Sequence, residues 1–291
     1  MSERLFELVV IVGPGLIGGS LGMALRRRGL AGRVLGVGHR QSSMDKAIEC
    51  GAVDEASLDL QPAVADADLV VLATSVGKIL EQIPVVAPAM KPGAVLTDVG
   101  SVKGAICRAA REAIAKRDSC DVRFVGSHPL AGSEQRGIDA AREDLFDGAL
   151  CIMAETGQGD PDREAFCRVE SLWKGVGCEV RALPAEEHDR LLGEVSHLPH
   201  AAAAGLVNSV SDEALDLAAS GFRDTTRVAS GDPDLWVDIF VANRDGVLPA
   251  LHRMQAELSA FIQGIESSDA AALRDLLRAA RERRDRRLKD A

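Results

Sequence analysis

The sequence predicts an α/β domain built on a mostly parallel sheet, followed by a second domain that is all helical. Three observations carry that expectation. Up to about residue 183, short apolar runs alternate with helically spaced segments, the pattern of a parallel sheet covered by helices on both faces. A glycine-rich turn, Gly13-x-Gly15-x-x-Gly18, joins the first apolar run to the first helical segment. After Pro184 the strand signals stop. The expected division is therefore 1–183 for the α/β domain and 184–291 for the helical one, marked by the change of pattern rather than by a flexible linker.

Taken in order, "LVVIV" (8–12) is a wholly apolar run, as a buried parallel strand requires. "LIGGSLGMALRRRGL" (16–30) has helical spacing, and "RVLGV" (33–37) reads as the second strand. "DLVVLAT" (68–74) is a strand leading into the helix "KILEQIPVVAPAM" (78–90), which Pro84 is expected to kink or split. "AVLTDV" (94–99), "VRFVGS" (122–127), "ALCIMA" (149–154) and "CEVRAL" (178–183) complete the strands, with helices near 101–117 and 161–175. Beyond the boundary, 185–210 reads as one long helix containing Pro199, and helical patterns over 233–264 and 268–289 follow.

Bulk properties exclude several classes of function. Thirty-four basic against 44 acidic residues leave a formal charge of −10, unsuited to nucleic acid, where cations must replace counterions. The basic run "LLRAARERRDRRLKD" near the C-terminus reads as the solvated face of a last helix. No apolar run approaches the ~18 residues of a membrane span, and the N-terminus enters a strand pattern without a leader-like segment. The six cysteines are scattered with no C-x-x-C pair, which points to reduced thiols in a cytoplasmic protein, without disulfides or zinc. Tyrosine is absent, so no phenol can serve as acid or base.

The glycine turn has a mechanical reading. The first glycine permits the tight turn, the second lets backbone approach a pyrophosphate, and the third lets the helix pack on the strand. The amides opening the helix, at Leu16 and Ile17, would then meet the phosphates. With a strand before, a helix after and a second strand about 20 residues on, the context is that of a Rossmann-type dinucleotide site. An acidic residue ending the second strand would hold the ribose 2′-hydroxyl of NAD. Here "GVGHRQSS" (36–43) puts Gly38 in that place, followed by His39, Arg40 and Ser42, groups better suited to a 2′-phosphate. NAD(P)+ is the expected cofactor, with residues 38–43 leaning to NADP+. The alternative is that Arg40 is a surface residue and NAD+ binds without the acidic contact.

Strand ends in such a sheet line the cofactor crevice. Thr74, Ser101, His128 and Ser133 fall at or just past them and can converge near a nicotinamide. Ser101 also has the place of a helix cap, and His128, in "GSHPLAGSE" (126–134), has the alternative of packing or bonding a loop carbonyl. In the helical part, "SHLPH" puts His197 and His200 three apart on one face, without the further ligands a metal needs. Arg223 and Arg227 stand at i, i+4 spacing. A bidentate arginine clamps a carboxylate, and an acidic protein needs such a local cation to hold an anionic substrate. An ion pair of Arg227 with Asp232 or Asp234 fits the spacing equally well.

Together "GPGLIGGSL", "DVGSVK", "GSHPLAGSE" and "SHLPH" followed by "FRDTTRVASGDPDLWVDIF" resemble the prephenate/arogenate dehydrogenase family of tyrosine biosynthesis, in order from about residue 8 to 260. The resemblance implies oxidative decarboxylation of prephenate to 4-hydroxyphenylpyruvate with hydride transfer to NAD(P)+; an arogenate or broad-specificity cyclohexadienyl dehydrogenase is the alternative. It implies that His128 accepts the C4 hydroxyl proton, that Ser101 orients His128 or bonds that hydroxyl, and that Arg227 grips a substrate carboxylate with His200 and Ser133 in support. Arg223 would bias recognition towards the keto acid. The resemblance also implies a homodimer through the helical domain. No C-terminal regulatory domain is expected. A β-hydroxyacid dehydrogenase would need a catalytic lysine in the helical part, where residues 184–291 hold only Lys289.

Overall fold

The computed structural model describes residues 4–116, 121–132, 135–155 and 159–288. The first domain runs β1 (Phe6–Val12), α1 (Leu16–Arg27), β2 (Ala31–Val37), α2 (Gln41–Glu49), β3 (Glu55–Ser57), α3 (Leu60–Val64), β4 (Leu69–Leu72), α4 (Val76–Val86), β5 (Val95–Asp98), α5 (Gly104–Ala115) and β6 (Arg123–Val125). These six strands form one parallel sheet in the order β3-β2-β1-β4-β5-β6. β1 lies between β2 and β4 and is covered on both faces, which is why "LVVIV" is apolar throughout. One face carries a core around Leu21, Leu25 and Trp173; the other carries one around Ile79, Ile83 and Ile106. The strand order reverses between β1 and β4, the switch point at whose carboxyl edge sheets of this kind take their ligands.

The later strands correct the expectation of a single sheet. Residues 122–127, expected as one strand, are broken at Gly126: β6 ends at Val125 and β7 (Ser127–Pro129) belongs to a second sheet with β8 (Leu150–Ala154) and β9 (Glu179–Leu183). β7 runs antiparallel to β8, and β8 parallel to β9, with α6 (Asp160–Gly175) between the last two. A Cβ at residue 126 would sit 3.0 Å from Cys107 Sγ and 3.3 Å from Ala154 Cβ, so the crossing between sheets is made by glycine. The result is that His128 rides on a short ribbon beside the carboxyl edge of the main sheet.

The helical part comprises α7 (Ala185–Leu192), α8 (Leu198–Asn208), α9 (Asp212–Leu215), α10 (Ser220–Thr226), α11 (Pro233–Ala242), α12 (Arg244–Glu266) and α13 (Ala270–Leu288). The helix expected over 185–210 runs unbroken in helical conformation from Ala185 to Asn208, but widens into a π-helical turn, Gly193–His197, just before Pro199. The pattern over 233–264 divides at Asn243, whose side chain is buried and committed to hydrogen bonds. Pro84 lies inside α4 without splitting it. The elements α2, β3 and α3 had no counterpart in the sequence reading: β3 is three residues without an apolar run, and α2 buries only Met44 and Ala47. Among the described residues no helix is long and apolar enough to cross a membrane.

Candidate active site

The glycine turn has the geometry its spacing implies. Gly13 adopts φ +87°, and a Cβ there would fall 2.6 Å from Thr74 Cγ2. A Cβ at Gly18 would lie 2.5 Å from Gly13 O and 2.9 Å from Ile11 Cγ2, so α1 reaches β1 only because that residue is glycine. Gly15 has no heavy atom nearer than 4.0 Å to its Cβ position, which leaves room for a ligand against the backbone. No side chain caps α1; its first intrahelical bond is Gly19 N–H to Gly15 O at 2.8 Å, so the amides of Leu16, Ile17 and Gly18 face outward for an anion. These features fit a dinucleotide pyrophosphate.

The second strand ends beside this turn. His39, Arg40 and Ser42 are exposed there, with Arg40 in extended conformation immediately before α2. A Cβ at Gly38 would meet Met44 Cε at 2.5 Å, so the place of the usual ribose-binding acid is filled by a methionine. Thr74, past the end of β4, donates its hydroxyl to Gln82 Oε1 at 2.8 Å while its methyl abuts Gly13.

The end of β5 is held by a buried ion pair. Lys103 and Asp98 are both wholly buried, and Lys103 Nζ donates to Asp98 Oδ2 and, at 2.6 Å, to Ser127 O. Asp98 also accepts from Gly100 N–H at 2.8 Å and Ser127 N–H at 3.2 Å. Ser127 is thus fixed through both its amide and its carbonyl, and its hydroxyl lies 3.0 Å from Thr97 Oγ1. This network sets the backbone that presents His128. Ser101 lies half-buried in the same loop and makes no side-chain hydrogen bond among the described residues.

The partner of His128 is therefore not Ser101. Nδ1 of His128 lies 2.9 Å from Nε2 of His188, with the rings edge to face. His188, wholly buried in α7, has Nδ1 2.8 Å from Asp189 Oδ1. The Asp189 carboxylate also accepts Lys103 N–H at 2.7 Å and Gly104 N–H at 2.8 Å, so it caps α5 from the helical domain. Burial pushes His128 well below its ordinary pKa, with His188 and Lys103 adding to the effect. Burial also lowers His188, against the pull of Asp189. Both rings are neutral at physiological pH, and His128 keeps a partly exposed face.

A second histidine cluster lies in the helical domain. Asn243 Nδ2 donates to Asp189 O at 2.8 Å and to His197 Nδ1 at 2.9 Å. Burial holds His197 down to about 4, and its Nε2 is buried without a hydrogen-bond partner in the described structure. His200 stacks on Trp236 with ring centroids 3.4 Å apart, and burial lowers its pKa too. Arg227 is exposed and opens a 3₁₀ turn, Arg227–Ser230, that packs on α8, the helix of His200. Arg223 is exposed one turn earlier, on α10. Asp232, one of the two carboxylates weighed as a partner for Arg227, pairs with Arg136 and caps α11. Ser133 and Lys289 lie outside the described residues. Among the described residues no cluster of three or more His, Cys, Asp or Glu is arranged to hold a metal.

The structure adds groups that the sequence reading did not single out: Asp98, Lys103, His188, Asp189, Trp236 and Asn243. The adjacent His-Asp in "AEEHDR" sits in a plainly amphipathic helix, and nothing in its spacing points to residue 128. Nothing in the sequence around Lys103 announces that its side chain is wholly buried. A further interdomain contact is also invisible in sequence: Asp238 of α11 accepts Ser75 Oγ–H at 2.9 Å and Gly77 N–H at 3.1 Å at the start of α4.

Two family models match the chain. The prephenate dehydrogenase nucleotide-binding domain covers residues 21–182, and the prephenate dehydrogenase dimerization domain covers residues 184–279. Among curated relatives, the prephenate dehydrogenase of Bacillus subtilis is 32% identical over 290 residues, 97% of this chain and 76% of that protein. The cyclohexadienyl dehydrogenase of Zymomonas mobilis is 32% identical over 271 residues, 91% of this chain and 90% of that one. Among solved structures, prephenate dehydrogenase from A. aeolicus in complex with hydroxyphenyl propionate and NAD+ superposes with a TM-score of 0.86 at 30% identity, covering 100% of this chain and 99% of that one.

Proposed function

The chain belongs to the prephenate dehydrogenase family, and from that premise we propose that it oxidises prephenate to 4-hydroxyphenylpyruvate with loss of CO2. The cofactor is a nicotinamide dinucleotide, which when bound supplies the hydride acceptor. The observation that carries the reading is the neutral imidazole of His128 just past the carboxyl end of β6, the same edge of the sheet as the glycine turn.

The chemistry asked of the protein is modest. The C4 hydroxyl proton passes to His128, the C4 hydride leaves with its electron pair, and the bond from C1 to the ring carboxylate breaks. That pair enters the ring and closes the aromatic sextet, which drives the step. A positioned base contributes typically ~10²–10⁴ in rate. Arg227 holds a substrate carboxylate, and His200, braced by Trp236, supports the anion. Ser101, with an uncommitted hydroxyl, bonds the C4 hydroxyl, and Ser133 assists the side chain. Arg223 disfavours the ammonium of arogenate by charge.

We further infer a lean towards NADP+, supported by exposed His39, Arg40 and Ser42 at the start of α2 and by Met44 in the space an acid would need. A homodimer through residues 184–291 is supported by large apolar side chains left exposed there, among them Leu217 at 83%, Val241 at 73% and Ile265 at 65%. A broad-specificity cyclohexadienyl activity is the second reading, favoured by the Z. mobilis relative. Steady-state kinetics with prephenate and arogenate, each with NAD+ and NADP+, tests all three readings of specificity. Turnover of arogenate alone would end the prephenate proposal, and a large kcat/KM advantage for NAD+ would end the NADP+ one.

A further inference from the structure

His128 has two ring nitrogens, and only one arrangement of its proton makes it a base towards a substrate. The protein groups behind the ring decide which arrangement holds. The Asp189 carboxylate only accepts hydrogen bonds. Its Oδ1 takes Lys103 N–H at 2.7 Å and faces His188 Nδ1 at 2.8 Å, and its Oδ2 takes Gly104 N–H at 2.8 Å. Nδ1 of His188 must therefore carry the proton. A neutral imidazole has only one, so Nε2 of His188 presents a lone pair. That lone pair points at His128 Nδ1, 2.9 Å away. A bond at that distance requires the proton on His128 Nδ1, which leaves His128 Nε2 bare.

From this chain of partners we propose that His188, held by Asp189, is the positioning residue that fixes His128 as the Nδ1–H tautomer, with Nε2 free to take the substrate hydroxyl proton. The proposal rests on the reading of His128 as the base and deepens it. Neutral histidine in water favours the opposite tautomer, which would offer a donor to the hydroxyl instead of an acceptor. Once His128 has taken the proton, its Nδ1–H still points at His188 Nε2, with the Asp189 carboxylate behind it, so the imidazolium meets an oriented acceptor. The arrangement is rigid: His188 is wholly buried, and Asn243 anchors the Asp189 backbone at 2.8 Å. It is also split between domains, since His128 lies on β7 and the His-Asp pair on α7. The base is therefore set only when the helical domain is docked on the sheet.

Two measurements on the full-length protein test this. The ¹⁵N shifts of the His128 ring report which nitrogen carries the proton; the expected result is Nδ1–H in the wild type, and a proton on Nε2 overturns the proposal whatever the variants do. Kinetics of His188→Leu and His188→Gln form the second test. His188→Leu offers no acceptor and is expected to lower kcat by roughly 10²- to 10⁴-fold while KM for prephenate and Kd for the dinucleotide stay within about threefold. His188→Gln can accept from Nδ1–H through Oε1 and is expected to return kcat to within about tenfold of wild type. A folded His188→Leu protein with kcat within about threefold of wild type, or equal loss in both variants, refutes the positioning role. Should His188→Leu fail to fold, the wild-type ring shifts decide alone. A failure of the base reading itself shows elsewhere, as turnover kept by His128→Asn, and does not alter the tautomer readout.

Discussion

Replacing Lys103 by methionine probes the network that presents His128. The change keeps most of the apolar stem and removes the ammonium, leaving the wholly buried Asp98 carboxylate with two backbone donors, Gly100 N–H at 2.8 Å and Ser127 N–H at 3.2 Å. Removing one partner of a buried ion pair costs ~3–5 kcal/mol because the other charge stays buried. The two retained donors put the expected loss at the low end, about 3 kcal/mol, or roughly 6–12 °C in Tm at ~2–4 °C per kcal/mol for a chain of this size class. Ser127 O loses its donor as well, so the His128 ring is less well placed and kcat falls in protein that is still folded. Thermal and urea unfolding measure the first effect, and turnover well below the transition measures the second. The double variant Asp98→Asn/Lys103→Met removes the orphaned charge and is expected to recover part of the stability, since replacing a buried pair outright is often close to neutral. A single variant within about 1 kcal/mol of wild type would refute the argument that this pair fixes the loop.

Four further outcomes follow from the site. Burial keeps His197 down to about 4 against an ordinary 6.5, so the unfolded chain binds more protons between those values; stability is full above pH 6.5 and falls by roughly 3 kcal/mol from this group as pH drops to about 4. Unfolding free energy measured across that window checks it, and a flat profile contradicts it. Because His128 is also pushed well below 6.5, the acid limb of kcat/KM is expected below that value, and a limb at or above it would mean that His128 is not desolvated as described. Gly15→Val puts a side chain where the backbone is open to a ligand, and is expected to abolish dinucleotide binding in calorimetry with little change in Tm; retained affinity would remove the turn from the site. Arg227→Lys keeps the charge but loses the bidentate fork, so KM for prephenate is expected to rise about tenfold with kcat nearly unchanged, and an unaltered KM would release Arg227 from that role.

Much of this architecture was legible because it is written in local pattern. "LVVIV" reads as buried strand without help, and the glycine spacing 13, 15, 18 becomes two close approaches, at Gly13 and Gly18, on either side of an open backbone at Gly15. What escaped was written in long-range contacts. Gly126 gives no sign of a switch between sheets until Cys107 and Ala154 are seen on either side of it. The π turn before Pro199 and the break at Asn243 serve the packing of α7, α8, α11 and α12 on one another, which no periodicity reports. His128 was visible as a candidate because of its strand-end position. Its partners were not: His188 follows it by 60 positions, and Asp189 caps a helix 85 residues earlier in the chain. The neutral state of the imidazole is likewise a product of burial rather than of neighbouring sequence.

The most direct test of the central claim is single-turnover oxidation of prephenate by His128→Asn, followed as reduced nicotinamide, with dinucleotide and prephenate binding measured on the same protein. The expected result is binding kept and the chemical step slowed by ~10²–10⁴. Hydride transfer at the wild-type rate would contradict the assignment of the substrate hydroxyl proton to His128.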